Sequence, residues 1–310
     1  MKYAVVTGGA GFIGSHLVDR LTDEGMHVVA IDNLSTGRVA NLQRAIERGA
    51  ATFVFADVAT TGAELLQLVS ESGADKIDEV YHLASPESPR FYGFHPWETL
   101  AANSLGTLAT IELALTHSAA YVFASTPEIF GDHLMQPQSP YVEGKRFAEA
   151  AVSVAVRTRS LRGAIARIFN CYGPRMELRD GRLVSALLEA TAEKQPFPIF
   201  GNGHQTRCLT YVDDVVAGLM VLARSEPQEL QPVNLGTEDE RTVDEIARSF
   251  ASVAEVPYAP QFLPPRPHDP MRLRPSIDRA RAAGWEPRTS LEQGLRKTYR
   301  WYLHEAVAYV

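Results

Sequence analysis

Cysteine is scarce in this chain, with two residues, Cys171 and Cys208, among 310. They stand far apart and match no metal-ligand spacing, so they read as reduced thiols. A disulfide framework is excluded and no metal site is implied. Positive charge is not in excess either. Lys plus Arg number 30 against 37 Asp plus Glu, a formal charge of −7, so the electrostatic footprint of a nucleic-acid binder is absent and no such partner is expected. One or two phosphates held in a local site remain compatible, because a pocket's charge can oppose the net charge. No apolar run reaches the about 18 residues that suggest a membrane span, and Met1 to Gly9 shows no basic region followed by a cleavage site. The expectation is a cytoplasmic protein without a membrane span. What is abundant is core material: at 45% hydrophobic and 22% charged, the chain can build one large core or two small ones.

Short β-rich apolar runs alternate with amphipathic stretches through the first half. Strands are predicted at Tyr3 to Thr7, His27 to Ile31, Thr52 to Phe55, Glu79 to Leu83, Ala120 to Ser125 and Ala164 to Ile168. Helices are predicted at Phe12 to Asp23, Asn41 to Glu47, Gly62 to Ser70, Trp97 to Thr116 and Tyr141 to Val156. Right-handed crossovers turn this order into an α/β doubly wound parallel sheet with helices on both faces. After about Tyr172 the pattern loosens. Helices at Leu183 to Glu193, Asp213 to Ala223, Thr242 to Ala254, Ile277 to Ala283 and Ser290 to His304, with a proline-rich stretch from Pro257 to Pro275 read as an ordered wrapping loop, suggest a smaller second lobe.

The first strand runs into Thr7-Gly8-Gly9-Ala10-Gly11-Phe12-Ile13-Gly14. Gly8 can take a turn conformation closed to residues with a Cβ, Gly11 lets the backbone approach a pyrophosphate, and Gly14 lets the helix pack on the sheet. Phosphates would sit at the positive end of that helix, on backbone N–H groups of the turn that holds Phe12 and Ile13. Asp32, with Asn33 beside it, ends the second strand 18 residues after Gly14. There a carboxylate can accept from both hydroxyls of an adenosine ribose, which favours NAD over its 2′-phosphorylated form. Asp57 and Val58 follow the third strand, where they suit an adenine amino group and its apolar face. Leu83, Ala84 and Ser85 end the fourth strand with small residues beside the expected cofactor channel, or simply pack there. This is the pattern of a Rossmann dinucleotide fold, predicted over 1–172 with 207–235 returning to it, while 173–206 and 236–310 form the smaller lobe.

Tyr141 and Lys145 lie one helical turn apart on the same face. A phenol's pKa is about 10, and a neighbouring ammonium together with a positive nicotinamide ring favours phenolate, bringing a base toward working pH. Lys145 can also hold the nicotinamide ribose. Ser125-Thr126 ends the fifth strand, where a hydroxyl would share the substrate oxygen with Tyr141.

At this point the sequence resembles the extended short-chain dehydrogenase/reductase family of NAD-dependent sugar-nucleotide epimerases, dehydratases and decarboxylases, from Met1 to about His304. Arg167-Ile168-Phe169-Asn170-Cys171-Tyr172-Gly173-Pro174-Arg175 continues the family order. Within the family it looks most like the UDP-glucuronate decarboxylases. The words that carry this are His82-Leu83-Ala84-Ser85-Pro86, Glu143-Gly144-Lys145-Arg146 with Ala148-Glu149, Gly173-Pro174-Arg175-Met176, Asp180-Gly181-Arg182, Gln205-Thr206-Arg207 and Asp269-Pro270. The resemblance implies a UDP-sugar substrate and a homodimer built on helices Trp97 to Thr116 and Tyr141 to Val156. It implies that Asn170 contacts the sugar diphosphate with Arg175 in the same motif, that Arg207 pairs with the pyrophosphate, and that Tyr211 touches the nucleotide ribose. Val184 falls near uracil or faces the core. Arg90 meets the sugar carboxylate or sits in a solvated loop.

The family's decarboxylases carry Thr-Ser-Glu where this chain has Thr126-Pro127-Glu128. Thr126 and Glu128 are kept, and Glu128 is placed by resemblance to act on protons near C5 or C6. The middle hydroxyl is lost. The segment from Gly131 to Tyr141 is shorter than in related enzymes, which implies a more open pocket, and the arginine used near the reacting sugar falls on Leu273, with Arg272 or Arg274 as replacements. The resemblance implies decarboxylation of UDP-glucuronate through a C4 ketone to UDP-xylose, with Thr126, Glu128, Tyr141 and Lys145 as catalytic residues. The departures add an expectation that some UDP-4-keto-xylose escapes. Two alternatives stay open: a UDP-sugar 4-epimerase on the same scaffold, and a non-catalytic NAD-responsive binding protein.

Overall fold

The computed structural model describes residues 1–87, 89–130, 139–225, 230–266 and 271–304, with the backbone alone at Pro89, Arg90 and Phe130. Two compact units emerge, one comprising Met1–Glu87, Phe91–Ile168 and Val216–Val233, the other Ser88–Arg90, Phe169–Val215 and Asn234–Val310.

The first unit is built on strands β1 (Tyr3–Thr7), β2 (His27–Asp32), β3 (Ala51–Phe55), β4 (Glu79–His82), β5 (Ala120–Ser125) and β6 (Arg162–Ile168). Strand Val233–Leu235 completes a seven-stranded sheet, lying at the edge next to β6, followed by β5, β4, β1, β2 and β3. The pairings from β6 to β3 are all parallel, for example Val5 with Val29, Val6 with Tyr81 and Phe123 with Ile165. Strands covered on both faces carry near-continuous apolar runs instead of alternating ones, and β5 has all six residues buried. Sequence order reverses between β1 and β4, and at such a switch point the carboxyl ends of the strands leave a crevice for a ligand.

Helices α1 (Phe12–Asp23), α2 (Gln43–Glu47), α3 (Gly62–Glu71), α4 (Pro89–Phe94), α5 (Pro96–His117) and α6 (Pro140–Arg159) connect these strands. Thr61 and Glu64 close a reciprocal capping box at the start of α3. The stretch predicted as one helix from Asn41 instead begins as a tight turn at Val39–Leu42 before α2. Helix α6 starts at Pro140, behind Ser139, whose hydroxyl accepts the Val142 N–H at 3.1 Å. The cap fixes where the helix begins and so sets Tyr141 in its first turn.

In the second unit, helices Val243–Ala254 and Leu291–His304 share an aromatic core in which Phe250 meets Phe197 and Tyr299 edge-on, each at 5.9 Å. The proline-rich stretch is not only a loop. Pro260–Leu263 pairs in parallel with Phe197–Phe200, and Arg272–Leu273 with Thr206–Arg207. Proline tolerates the first position of a strand, where Pro260 lies, because its missing donor costs the ladder little there. Among the described residues no helix is long and apolar enough to cross a membrane. Both cysteines are buried and neither is in a disulfide.

Candidate active site

β1 ends in the turn at Gly8, whose φ of +70° lies in the left-handed region. A Cβ there would stand 2.9 Å from Ala84 N. Leu83, Ala84 and Ser85 pass that close because Leu83 N–H donates to Thr7 O (3.2 Å) and Ala84 N–H to Thr7 Oγ1 (3.4 Å). At Gly14 a Cβ would come within 2.0 Å of Gly8 O. Gly11 is the N-cap of α1, with no capping side chain and no acidic residue in the first turn. The N–H groups of the turn holding Phe12, Ile13 and Gly14 therefore face outward at the helix's positive end, the donor set an anionic phosphate requires. This cradle exists only because side chains are missing from it, and it fits the pyrophosphate of NAD.

Asp32 is 8% exposed and held tightly to that turn. Its carboxylate accepts from Ala10 N–H (3.0 Å), Leu34 N–H (2.8 Å) and Gly11 N–H. Burial raises its carboxyl above the ordinary value against the lowering effect of these bonds. A carboxylate offers about four acceptor directions, so the backbone takes most of them and leaves roughly one, where the sequence suggested that both ribose hydroxyls could be accepted. Asn33 donates to Asp57 at 2.9 Å, and the Asp57 carboxylate also accepts Ala59 N–H at 2.8 Å. Val58 is buried against α5, where a Cβ on Gly106 would meet its methyl at 2.8 Å. It is thus a packing residue as well as a flank to Asp57.

Tyr141 and Lys145 share the inner face of α6, both under a tenth exposed. Lys145 Nζ donates to Ala124 O at 2.7 Å, next to the end of β5, and lies 5.6 Å from the Tyr141 ring centroid and 4.8 Å from that of Phe123. Burial draws its ammonium down from 10.5 to about 8, opposed by the carboxylates of Glu87 and Glu149. Gly144, between the two, is where α6 touches α5: a Cβ would be 2.8 Å from Asn103 Cβ. Asn103 is fully buried and donates to Ser85 Oγ at 2.8 Å. Thr126 is buried at 4% exposure just past β5, and its hydroxyl accepts the Glu128 N–H at 3.3 Å. Glu128 itself is exposed, on the short turn Pro127–Phe130. His82 is fully buried, with Nδ1 2.8 Å from Thr7 Oγ1. Burial first and Lys145 second bring its imidazole down to about 3, so it is neutral at working pH.

Two further features border this group and were not assigned roles from sequence. Tyr92 lies parallel over the Tyr141 ring, at 5.7 Å and 6° between planes. Glu149, one turn past Lys145, forms a fork with Arg167 (2.8 and 2.6 Å) and accepts the Ser125 hydroxyl at 2.6 Å. Glu149 and Arg167 both lie in the sequence words that resemble the family. The spacing of Glu149 four residues after Lys145 was the available signal for electrostatic contact, whereas nothing in the sequence aligned Tyr92 with Tyr141. The side chain of Arg90 and residues 131–138, with most of the shortened segment, lie outside the described residues, as do Asp269 and Pro270.

In the second unit, Asn170 takes φ +38° and its side chain donates to Cys208 O at 3.4 Å; Arg175 takes φ +63°. Val184 is buried at 2% in the first turn of helix Leu183–Ala192. Tyr211 packs edge-on to Tyr172 at 5.8 Å with Lys297 Nζ 5.0 Å above its ring. Arg207 occupies the middle strand of a three-stranded sheet, between Arg241–Thr242 and Arg272–Leu273. Leu273 is its register partner on one side and Arg241 on the other. Arg272 pairs with Thr206, so its side chain takes the opposite face, where it forms a fork with Glu240 at 2.7 and 2.8 Å. The structure therefore does not bring Arg272 to Arg207. Adjacent residues of a strand face opposite ways, and counting along the sequence does not reveal which side is which.

The chain is similar to known proteins over nearly its whole length. UDP-glucuronic acid decarboxylase 1 of Danio rerio is 36% identical over 98% of this chain and 73% of its own length. UDP-glucuronic acid decarboxylase 1 of Arabidopsis thaliana is 39% identical over 94% of this chain and 67% of its own. Among solved structures, UDP-glucuronic acid 4-epimerase from Bacillus cereus, in complex with UDP-glucuronic acid and NAD, superimposes with a TM-score of 0.84 at 27% identity, covering 96% of this chain and 98% of that one. Residues 4–236, which include the glycine cradle, Asp32 and the Tyr141/Lys145 pair, match the NAD dependent epimerase/dehydratase family, to which this chain belongs.

Proposed function

We propose that the chain is an NAD-dependent UDP-glucuronate decarboxylase that works through a C4 ketone to UDP-xylose. The observation that carries the chemistry is the buried Lys145 ammonium, fixed on Ala124 O beside the Tyr141 ring; the decarboxylase relatives carry the choice of substrate. The first unit is the cofactor domain and the second holds the sugar nucleotide.

Loss of carbon dioxide directly from a glucuronate would leave an unstabilised carbanion at C5. A C4 ketone removes that difficulty, because the departing carboxylate's electron pair then enters an enolate. The Gly8–Gly14 cradle, Asp32, Asp57 and Val58 would hold NAD, which would supply reversible hydride-accepting chemistry for C4. Tyr141 removes the C4 hydroxyl proton as a phenolate and gives it back in the final reduction. Lys145 stabilises that phenolate as a neighbouring positive charge, and Thr126 donates to the same substrate oxygen. Glu128, the most exposed of the four, handles the proton that C5 gains after carbon dioxide leaves. Asn170, Arg175, Arg207, Tyr211 and Val184 serve the nucleotide and its diphosphate.

Exposed apolar residues on α5 (Leu105, Leu108) and α6 (Phe147, Val154) support a homodimer through these two helices. Two buried cysteines outside any disulfide suit a reducing compartment such as the cytoplasm. With protein, NAD and UDP-glucuronate mixed, carbon dioxide and UDP-xylose are expected, with some UDP-4-keto-xylose at early times. UDP-galacturonate formed without carbon dioxide would establish the epimerase instead. Turnover by Tyr141→Phe equal to wild type would remove the assignment of the base.

A further inference from the structure

Lys145 is fixed to the end of β5, and a second anchor stands one helical turn behind it. Glu149 follows Lys145 by four residues on the same face of α6, and its side chain is 12% exposed. One of its oxygens accepts the Ser125 hydroxyl at 2.6 Å and Arg167 Nε at 2.8 Å; the other accepts Arg167 Nη2 at 2.6 Å. Ser125 and Arg167 are register partners on β5 and β6, the two strands that α6 connects. A single carboxylate therefore ties the helix to both. On β5 the tie falls between Thr126 and Ala124, whose carbonyl accepts the Lys145 ammonium at 2.7 Å.

Stability alone does not call for an ion pair there. Desolvation offsets most of the Coulomb gain of a buried pair, and apolar side chains of similar volume would join helix and strands as firmly. What they do not supply is negative charge beside a buried ammonium. Lys145 is faced by Tyr141 and Glu149 on its own helix, by His82 at the end of β4 and by Glu87 beyond that strand. His82 is neutral at working pH, and Tyr141 is anionic only as the base. The standing counter-charges are thus Glu87 and Glu149, and three hydrogen bonds hold Glu149 in one position. Glu149 also takes up the charge of Arg167, a second cation against the same helix.

We propose that Glu149 is a positioning residue for the reaction, acting through Lys145: it holds the end of β5 against α6, so that the ammonium keeps both its charge and its seat on Ala124 O beside Tyr141. This rests on the reading of Tyr141 and Lys145 as the catalytic pair.

The chain has five lysines, few enough for Lys145 to be followed by NMR of isotope-labelled lysine in the full-length protein, its signal assigned by Lys145→Met. Carbon dioxide release from UDP-glucuronate, measured against pH, gives kcat and KM for wild type, Glu149→Gln and Glu149→Asp. In Glu149→Gln the Lys145 titration is expected about one unit lower, with KM changed less than about twofold. The alkaline limb of the kcat profile, where the ammonium is lost, should move down with it. Glu149→Asp keeps the charge and shortens the tether. Its Lys145 titration should stay within about half a unit of wild type while kcat falls roughly fivefold or more. A folded Glu149→Gln with unmoved Lys145 titration, or Glu149→Asp with wild-type kcat, overturns the proposal. So does a loss of activity that only follows the loss of folded protein seen by thermal unfolding. Wild type that releases no carbon dioxide overturns instead the reading of the reaction, and the lysine titration then decides by itself whether Glu149 holds Lys145.

Discussion

Replacing Lys145 by methionine is expected to stabilise the fold while abolishing turnover. The ammonium is fully buried, and its pKa of about 8 lies below the 10.5 of an exposed lysine. At ~1.4 kcal/mol per unit, keeping it charged in the folded state costs about 3 kcal/mol at neutral pH. Methionine removes that cost and keeps an apolar stem beside Phe123. It also leaves Ala124 O without the lysine donor, a loss of about 1 kcal/mol. The variant should therefore be about 2 kcal/mol more stable than wild type at pH 7. The sign of the pH dependence follows from linkage. Between pH 8 and 10.5 the unfolded lysine holds a proton that the folded one has released, so wild-type stability rises with pH through that window and is flat below it. The variant lacks this term. Its advantage should shrink from pH 8 upward and become a deficit of about 1 kcal/mol above pH 10.5. Urea unfolding of both proteins at intervals from pH 7 to 10.5, followed by circular dichroism, measures the difference directly. Other titrating groups cancel in it. A stability difference that stays constant across the range, or a variant less stable than wild type at pH 7, would refute the reasoning.

Gly14→Ala places a methyl 2.0 Å from Gly8 O and forces the cradle open. Thermal unfolding should show a loss at or above the upper end of the ~1–3 kcal/mol typical of overpacking, and NAD affinity measured by titration should fall by more than tenfold. Glu149→Gln removes the charged partner of Arg167, in a pair whose side chains are 12% and 13% exposed. A cost near the low end of ~3–5 kcal/mol is expected, because glutamine keeps one acceptor; chemical denaturation checks it. The same change withdraws a carboxylate that raises the Lys145 pKa, so that pKa should fall below about 8. A difference titration against Lys145→Met, as above, would detect the shift.

Where the chain announces its structure in sequence, the physics is local. β5 is legible because a strand buried on both faces needs an unbroken apolar run, and Gly8 because only a residue without Cβ accepts both φ +70° and a backbone nitrogen 2.9 Å away. Tyr141 and Lys145 are legible because four residues make one helical turn. What was hidden depends on which strand lies beside which. Thr206–Arg207, Arg241–Thr242 and Arg272–Leu273 are two residues long, too short for any periodicity to declare a face. The sequence puts Leu273 where the arginine near the sugar is expected and offers Arg272 or Arg274 as replacements, yet the pairing of Arg272 with Thr206 turns it to Glu240. Asp32 shows the same limit from another side: its position after β2 was readable, but not the three backbone donors that occupy most of its carboxylate. With that carboxylate mostly spent on Ala10, Gly11 and Leu34, its larger service is to pin the glycine turn. Asp32→Asn should therefore weaken the cradle's hold on the whole dinucleotide, and not the ribose contact alone.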